Sequence, residues 1–144
     1  MPSGLFHGLA KKNEGEEVNM ITLDTARKLK EAGVKWVPKE GDWFYNTKFG
    51  PTVMSLTKLS AWQKKYKDHK KPVWQRLVWL PRLDQILAEI RKRHWWYYMS
   101  FVGGEHHMRV FPHDTSKPQC FNDSIPEEAA GLALLHILGG ERDE

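Results

Sequence analysis

A basic and aromatic segment between Lys58 and Arg76 holds the residues best suited to binding a charged ligand. It contains seven Lys or Arg residues and one acid, Asp68, and so carries +6 in a chain whose formal net charge is +4. Lysine and arginine neutralise phosphates, and flat rings between them offer surfaces on which bases stack. The candidate ligand-binding or nucleic-acid-binding residues are Trp62, Lys64, Lys65, Tyr66, Lys67, Lys70, Lys71, Trp74 and Arg76.

The same segment also fits a solvated helix face that continues into a lysine-rich loop. No nucleic-acid-reading motif accompanies the charges. Subtracting the segment's +6 from the chain's +4 leaves −2 for all other residues. The basic character therefore belongs to this segment and not to the whole surface, and both interpretations stay open.

Histidine and cysteine are the next candidates for chemistry, as metal ligands. His106 and His107 are adjacent on a predicted strand, so they point to opposite faces and cannot bind one ion from the same surface. One of them could meet His113 and Cys120 across a hairpin, but tight ligand spacing is absent from the sequence. The sequence therefore predicts no metal and no cofactor.

Catalytic motifs are absent from the sequence. It has no phosphate-binding loop, no dinucleotide fingerprint and no serine in a nucleophile elbow. Cys120 is interpreted as a small packing residue, and Glu127 and Glu128 as first-turn carboxylates that favour a helix N-terminus. We therefore expect a protein that is not an enzyme.

Length and composition predict one soluble domain. The 144 residues suit a single core, and no apolar run is long enough to span a bilayer. A single cysteine fits a reducing compartment, so we expect the protein in the cytoplasm of a host cell, without a membrane partner. Residues 1–19 lack a signal-peptide pattern and are predicted to be a flexible arm before a domain at 20–144.

Periodicity in the first half predicts helices and short strands. A helix over Thr22–Ala32 ends at Gly33, and a second helix is predicted over Lys58–Lys67. Between them, runs broken by proline and glycine predict three strands. These strands are Val34–Val37, Asp42–Tyr45 and Thr52–Leu56.

The second half predicts a β-α-β-β-α unit over residues 73–138. Its strands are Val73–Leu80, Trp95–Val102, Glu105–Phe111 and a short one at Gln119–Asn122, with a hairpin turn at Gly103-Gly104. One helix follows Pro81, and the last begins at a capping box, Ser124–Glu127, and ends at Gly139-Gly140. Ile125, Ala129, Leu132 and Leu135 form its predicted buried face. The fold class is therefore α+β, a small antiparallel sheet flanked by helices.

The strand Trp95–Val102 has two aromatic faces. Trp96 and Tyr98 point opposite to Trp95 and Tyr97. Either helices cover both faces, or one face is exposed and is a binding surface. The sequence leaves this open, as it leaves open the association of the chain with itself.

The second half also resembles a known family. Trp79-Leu80-Pro81, Arg93-His94-Trp95 and the run from Ile125 to Ala130 are similar to small phage and prophage proteins of the phage ABA-sandwich family. The resemblance covers about half of the chain, and the family pattern has glycine at the position of His94. It implies a fold and a phage origin, and it carries no functional residues.

Taken with the absence of catalytic motifs, this resemblance implies a phage-encoded accessory protein. We expect it to bind and sequester a host protein or a nucleotide ligand and so to counteract host defence. The alternative is a nucleic-acid-binding protein that uses the segment from Lys58 to Arg76.

Overall fold

A computed structural model describes residues 9–11, 17–112 and 117–142. In chain order its elements are β1 (Leu9–Lys11), β2 (Glu17–Asn19), α1 (Leu23–Glu31), β3 (Trp43–Asn46), β4 (Gly50–Val53), α2 (Leu56–Lys65), a 3₁₀ helix (Val73–Arg76), β5 (Val78–Leu80), α3 (Leu83–Lys92), β6 (Trp95–Val102), β7 (Glu105–Pro112), β8 (Gln119–Asp123) and α4 (Pro126–Arg142). The predicted α+β class is confirmed.

The strands form separate antiparallel sheets instead of one. Strand order is β4-β3-β5 in one three-stranded sheet and β6-β7-β8 in another, while β1 pairs with β2. Strand β5 pairs with β3, with Trp43 opposite Leu80. The predicted single sheet that contains both β5 and the C-terminal hairpin is therefore wrong, because β5 pairs with β3 in a sheet separate from β6, β7 and β8.

Helix α1 begins and ends where its sequence predicts. The hydroxyl of Thr22 accepts a hydrogen bond from the backbone N–H of Thr25 at 3.2 Å. At the other end, Gly33 has φ 106°, and the N–H groups of Gly33 and Val34 donate to the carbonyls of Lys30 and Leu29. This is a Schellman motif, which needs a left-handed residue that glycine supplies without strain.

Two of the predicted strands in the first half are wrong in whole or in part. Residues 34–37 alternate between buried and exposed but pair with no described strand, since β3 is flanked by β4 and β5. The run predicted at Thr52–Leu56 is strand only to Val53, because the hydroxyl of Ser55 caps the start of α2.

The predicted strand over Val73–Leu80 divides into two elements. Residues Val73–Arg76 form a 3₁₀ helix that follows Pro72, and only Val78–Leu80 are strand. The N–H of Gln75 donates to the carbonyl of Pro72 at 3.0 Å. Apolar alternation had indicated a strand, but proline favours the start of a helical turn, and this local preference prevails.

The buried apolar residues form two hydrophobic cores, and helix α4 is the central element of the larger one. It packs against α1, α3 and the sheet strands β7 and β8. Its fully buried residues include Ala130, Ala133, Leu134 and Ile137, whereas Leu132 and Leu135 are only half-buried. The predicted buried face was therefore right at Ile125 and Ala129 and wrong at the two leucines, since neighbours lie on several sides of this helix.

The predicted end of α4 is also wrong. The helix continues through Gly139-Gly140 to Arg142, although glycine costs about 1 kcal/mol relative to alanine in a helix. Ile137 and Leu138 are buried in the larger core immediately before the glycines. Their packing holds the last turns in place.

The hairpin of β6 and β7 has the predicted turn. Gly103 and Gly104 have φ 63° and 83°, the two positive values of a type I′ turn. Trp95, Tyr97 and Met99 pack against the core, and Trp96 and Tyr98 are exposed. One of the two aromatic faces is therefore exposed, and its role as a binding surface stays a prediction.

The residue before this hairpin is also in the left-handed region. His94 has φ 63°, a conformation that glycine adopts more readily than other residues.

Two findings concern the ends of the chain and the membrane prediction. The predicted flexible arm, residues 1–19, lies largely outside the described residues. Its two described strands, β1 and β2, form a short antiparallel pair.

None of the helices in the described part of the chain has the length and apolarity that crossing a membrane requires.

Candidate ligand-binding pocket

A pocket of about 480 Å³ lies where the end of α1, the segment 33–37, the stretch 74–81, α3 and α4 meet. Leu29, Ile86 and Leu134 contribute apolar surface from the three helices. Three tryptophans, Trp36, Trp74 and Trp79, contribute indole rings. Volume and aromatic lining are typical of sites for small organic ligands.

Trp36 is held in the pocket wall by a buried carboxylate. The Schellman motif at Gly33 turns the chain from α1 into the segment that carries Trp36. Its indole Nε1 donates to Oδ2 of Asp42 at 2.9 Å, and its ring stacks on Phe44 with centroids 5.5 Å apart. Both contacts fix the ring, so this wall is formed before any ligand arrives.

Trp74 is placed by the 3₁₀ helix. Its ring stacks on Trp62 with centroids 6.3 Å apart and meets Tyr66 edge-on at 6.0 Å. Trp62 and Trp74 pack against the smaller hydrophobic core, which contains Phe44. Trp74 thus joins the pocket to helix α2.

Trp79 packs against both the larger and the smaller core. Its indole Nε1 is buried and has no hydrogen-bond partner among the described residues. An unpaired buried donor costs about 1–3 kcal/mol.

The charged groups of the pocket favour an anion. Lys30 and Lys35 line it and are exposed. Glu89 also lines it, and its carboxylate is paired with Lys92 at 2.9 Å and Arg93 at 2.8 Å. Burial acts to raise the pKa of Glu89, but the hydrogen bonds and charges of these two cations outweigh burial and lower it. The carboxylate of Glu89 is therefore ionised, and Lys92 and Arg93 neutralise its charge. Lys30 and Lys35 have no such partner among the lining residues.

The charges and the rings of the predicted basic segment differ in exposure. All six cations, Lys64, Lys65, Lys67, Lys70, Lys71 and Arg76, are exposed. Trp62, Tyr66 and Trp74 are half-buried and pack against one another. Lys65 lies over the ring of Tyr66 at 5.4 Å. Of the nine predicted residues, Trp74 lines the pocket.

Sequence reasoning missed Lys30, Lys35, Trp36 and Trp79 as possible site residues. The seven tryptophans of the chain were a signal, but nothing in their spacing indicates which of them share a cavity. Lys30 and Trp79 are brought together by tertiary packing alone.

The described histidines and Cys120 do not form a metal-binding cluster. No group of three His, Cys, Asp or Glu side chains that could hold an ion is present among residues 20–112 and 117–139. His106 packs on Phe101 with centroids 4.6 Å apart, and His113 lies outside the described residues. Cys120 is exposed, so its interpretation as a packing residue is wrong.

Comparison with known proteins gives no match to any family model, curated protein or solved structure. The resemblance to the phage ABA-sandwich family stays a prediction.

Proposed function

We propose that this chain is a non-catalytic binding protein that holds a nucleotide in the pocket between Trp36, Trp74 and Trp79. The observation that carries the proposal is the convergence of three indole rings with two exposed lysines on one cavity of about 480 Å³. Indole rings favour flat ligands, through stacking worth about 1–3 kcal/mol per base. Lysines favour a phosphate as compact positive charges.

The lining of the pocket therefore favours a ligand that is flat and anionic, because it combines indole rings with two exposed lysines.

The biological role that we propose is sequestration of such a nucleotide. The resemblance to phage and prophage proteins supports a phage-encoded accessory protein that removes a nucleotide ligand from host machinery and counteracts host defence. Binding alone is sufficient for that role.

The experiment is isothermal titration of the purified full chain with the four ribonucleoside monophosphates, with nucleosides and ribose 5-phosphate as partial ligands. We expect at least one monophosphate to bind more tightly than its nucleoside and than ribose 5-phosphate, because base and phosphate use different parts of the pocket. Lys30→Glu should weaken binding by about tenfold, the effect of losing one charge-assisted contact.

The matched control is Arg27→Glu, which makes the same charge change on the exposed surface of α1 at a position outside the pocket lining. It should change the affinity less than about threefold. A chain that binds none of these compounds at about 1 mM, the weak end of specific affinities, would overturn the proposal. Equal weakening by both variants would overturn the assignment to this pocket.

The second candidate function is nucleic-acid binding through the segment from Lys58 to Arg76. The observation in its favour is the exposure of all six of the predicted cations that follow Trp62. The mutual packing of Trp62, Tyr66 and Trp74 leaves phosphate contacts, more than base stacking, as its main source of affinity.

A further inference from the structure

We propose that the outer edge of β6 pairs with β6 of a second copy of this chain, antiparallel and with Tyr98 opposite Tyr98. The pairing would join two three-stranded sheets into one of six strands. It concerns a surface other than the pocket and does not depend on the nucleotide proposal.

In the part of the chain that the structure describes, β6 is an edge strand of its sheet. It is the first strand in the order β6-β7-β8, and no strand that the structure describes pairs with its other side. Its eight residues, WWYYMSFV, include no charge, no proline and no glycine. Edge strands of monomers usually carry such features, because a long apolar edge otherwise pairs with another chain.

The turn geometry shows which backbone groups this edge offers. In a two-residue type I′ hairpin, the residues that flank the turn form a hydrogen-bonded pair. Val102 and Glu105 flank the turn at Gly103-Gly104. Alternation then directs the N–H and C=O groups of Val102 and every second residue before it toward β7. Those of Trp95, Tyr97, Met99 and Phe101 face outward.

A two-fold axis at Tyr98 would place the outward N–H and C=O groups of one copy opposite those of the second copy. Tyr97 would form a hydrogen-bonded pair with Met99 of the second copy, and Trp95 with Phe101. Each partner in these pairs has outward N–H and C=O groups, so the ladder is complete. The axis is normal to the sheet and keeps inner and outer faces in register.

The exposed side chains match in the same register. Trp96 is 55 % exposed, Tyr98 59 % and Phe101 62 %. Trp96 would lie opposite the small Ser100 of the second copy, in a non-hydrogen-bonded pair where side chains approach closely. Phe101 would gain Trp95 of the second copy as its neighbour. The edge has no charge, so the axis brings no like charges together.

The test is sedimentation velocity of the full chain across a range of concentrations, with Tyr98→Lys and Tyr98→Glu. We expect the native chain to be a dimer. Each variant should dissociate more readily, with a Kd raised about tenfold or more, since like charges then face each other across the axis. An equal mixture of the two variants should dimerise again, because lysine then faces glutamate.

Asn122→Lys provides the control, since Asn122 is exposed on β8 at the far edge of the same sheet. It should leave the dimer unchanged. Circular dichroism shows whether the Tyr98 variants remain folded, and recovery of the dimer in the mixture shows it independently. A native chain that sediments as a monomer up to about 0.1 mM, weak for a specific dimer, would overturn the proposal. So would a mixture that stays monomeric.

Discussion

At the scale of single residues, Asp42 has the most demanding environment. Its side chain is buried, with 2 % of its surface exposed. It accepts hydrogen bonds from Nε1 of Trp36, the backbone N–H of Lys39 and Nε2 of Gln85, at 2.9, 3.0 and 2.8 Å. Arg82 lies 3.5 Å away and supplies a compensating charge. One carboxylate thus positions a pocket wall and ties it to the start of α3.

We expect Asp42→Ala to lower the free energy of unfolding by about 3 kcal/mol, because buried donors lose their acceptor. Urea denaturation followed by circular dichroism measures this change. Asp84→Ala is the matched control, since Asp84 also pairs with Arg82 but its side chain is 72 % exposed. It should cost less than about 1 kcal/mol. Equal losses of unfolding free energy in the two variants would show that Asp42 stabilises the fold only through its pairing with Arg82.

At the scale of elements, the crossing of α1 and α4 organises the larger core. Glu128 at the start of α4 is buried and accepts hydrogen bonds from the backbone N–H of Thr22 at 2.9 Å and the hydroxyl of Thr25 at 2.5 Å. One turn further along, Gly131 allows close approach. A Cβ added there would lie 2.8 Å from Cδ1 of Ile21 and 3.1 Å from Cγ2 of Thr25.

Gly131→Ala should therefore destabilise the protein by about 1–3 kcal/mol, the usual cost of overpacking a core. Ile21 is buried and cannot move aside freely. Gly139→Ala in the same helix meets nothing within 4 Å and should stabilise by about 0.5–1 kcal/mol through helix propensity alone. Thermal unfolding of both variants provides the comparison. Stabilisation by both would contradict the close approach of α1 and α4.

At the scale of the whole molecule, charge is divided unevenly along the chain. The segment from Lys58 to Arg76 carries +6 and all other residues together −2. Exposed positive charges raise the local concentration of an anionic partner. Added salt screens this attraction strongly. Because the positive charge is concentrated in this segment, the nucleic-acid candidate can be tested separately from the nucleotide proposal.

If the six exposed cations contact phosphates, binding of a single-stranded DNA 20-mer should fall with salt at a log-log slope near −4, which is about −0.7 per phosphate. Joint replacement of Lys64, Lys67 and Lys71 by alanine should halve that slope. Fluorescence anisotropy at several salt concentrations measures both. A flat salt dependence would remove the nucleic-acid candidate and leave the nucleotide proposal unaffected.

Features that depend on neighbouring residues could be predicted from the sequence. Helix α1 with its end at Gly33, the glycine turn of the hairpin, and the α+β class all follow from local propensity and periodicity. These predictions are confirmed because the same short-range forces act in the chain and in the fold.

Contacts between distant elements depend on tertiary packing. Apolar patterns predict burial without naming a partner, so the pairing of β5 with β3 and the burial of α4 on several sides could not be predicted from periodicity. The pocket has the same origin, since Trp79 is distant in sequence from Lys30 and Trp36 and meets them through packing. Hydrophobic burial is non-directional, and only the completed core determines where a cavity remains.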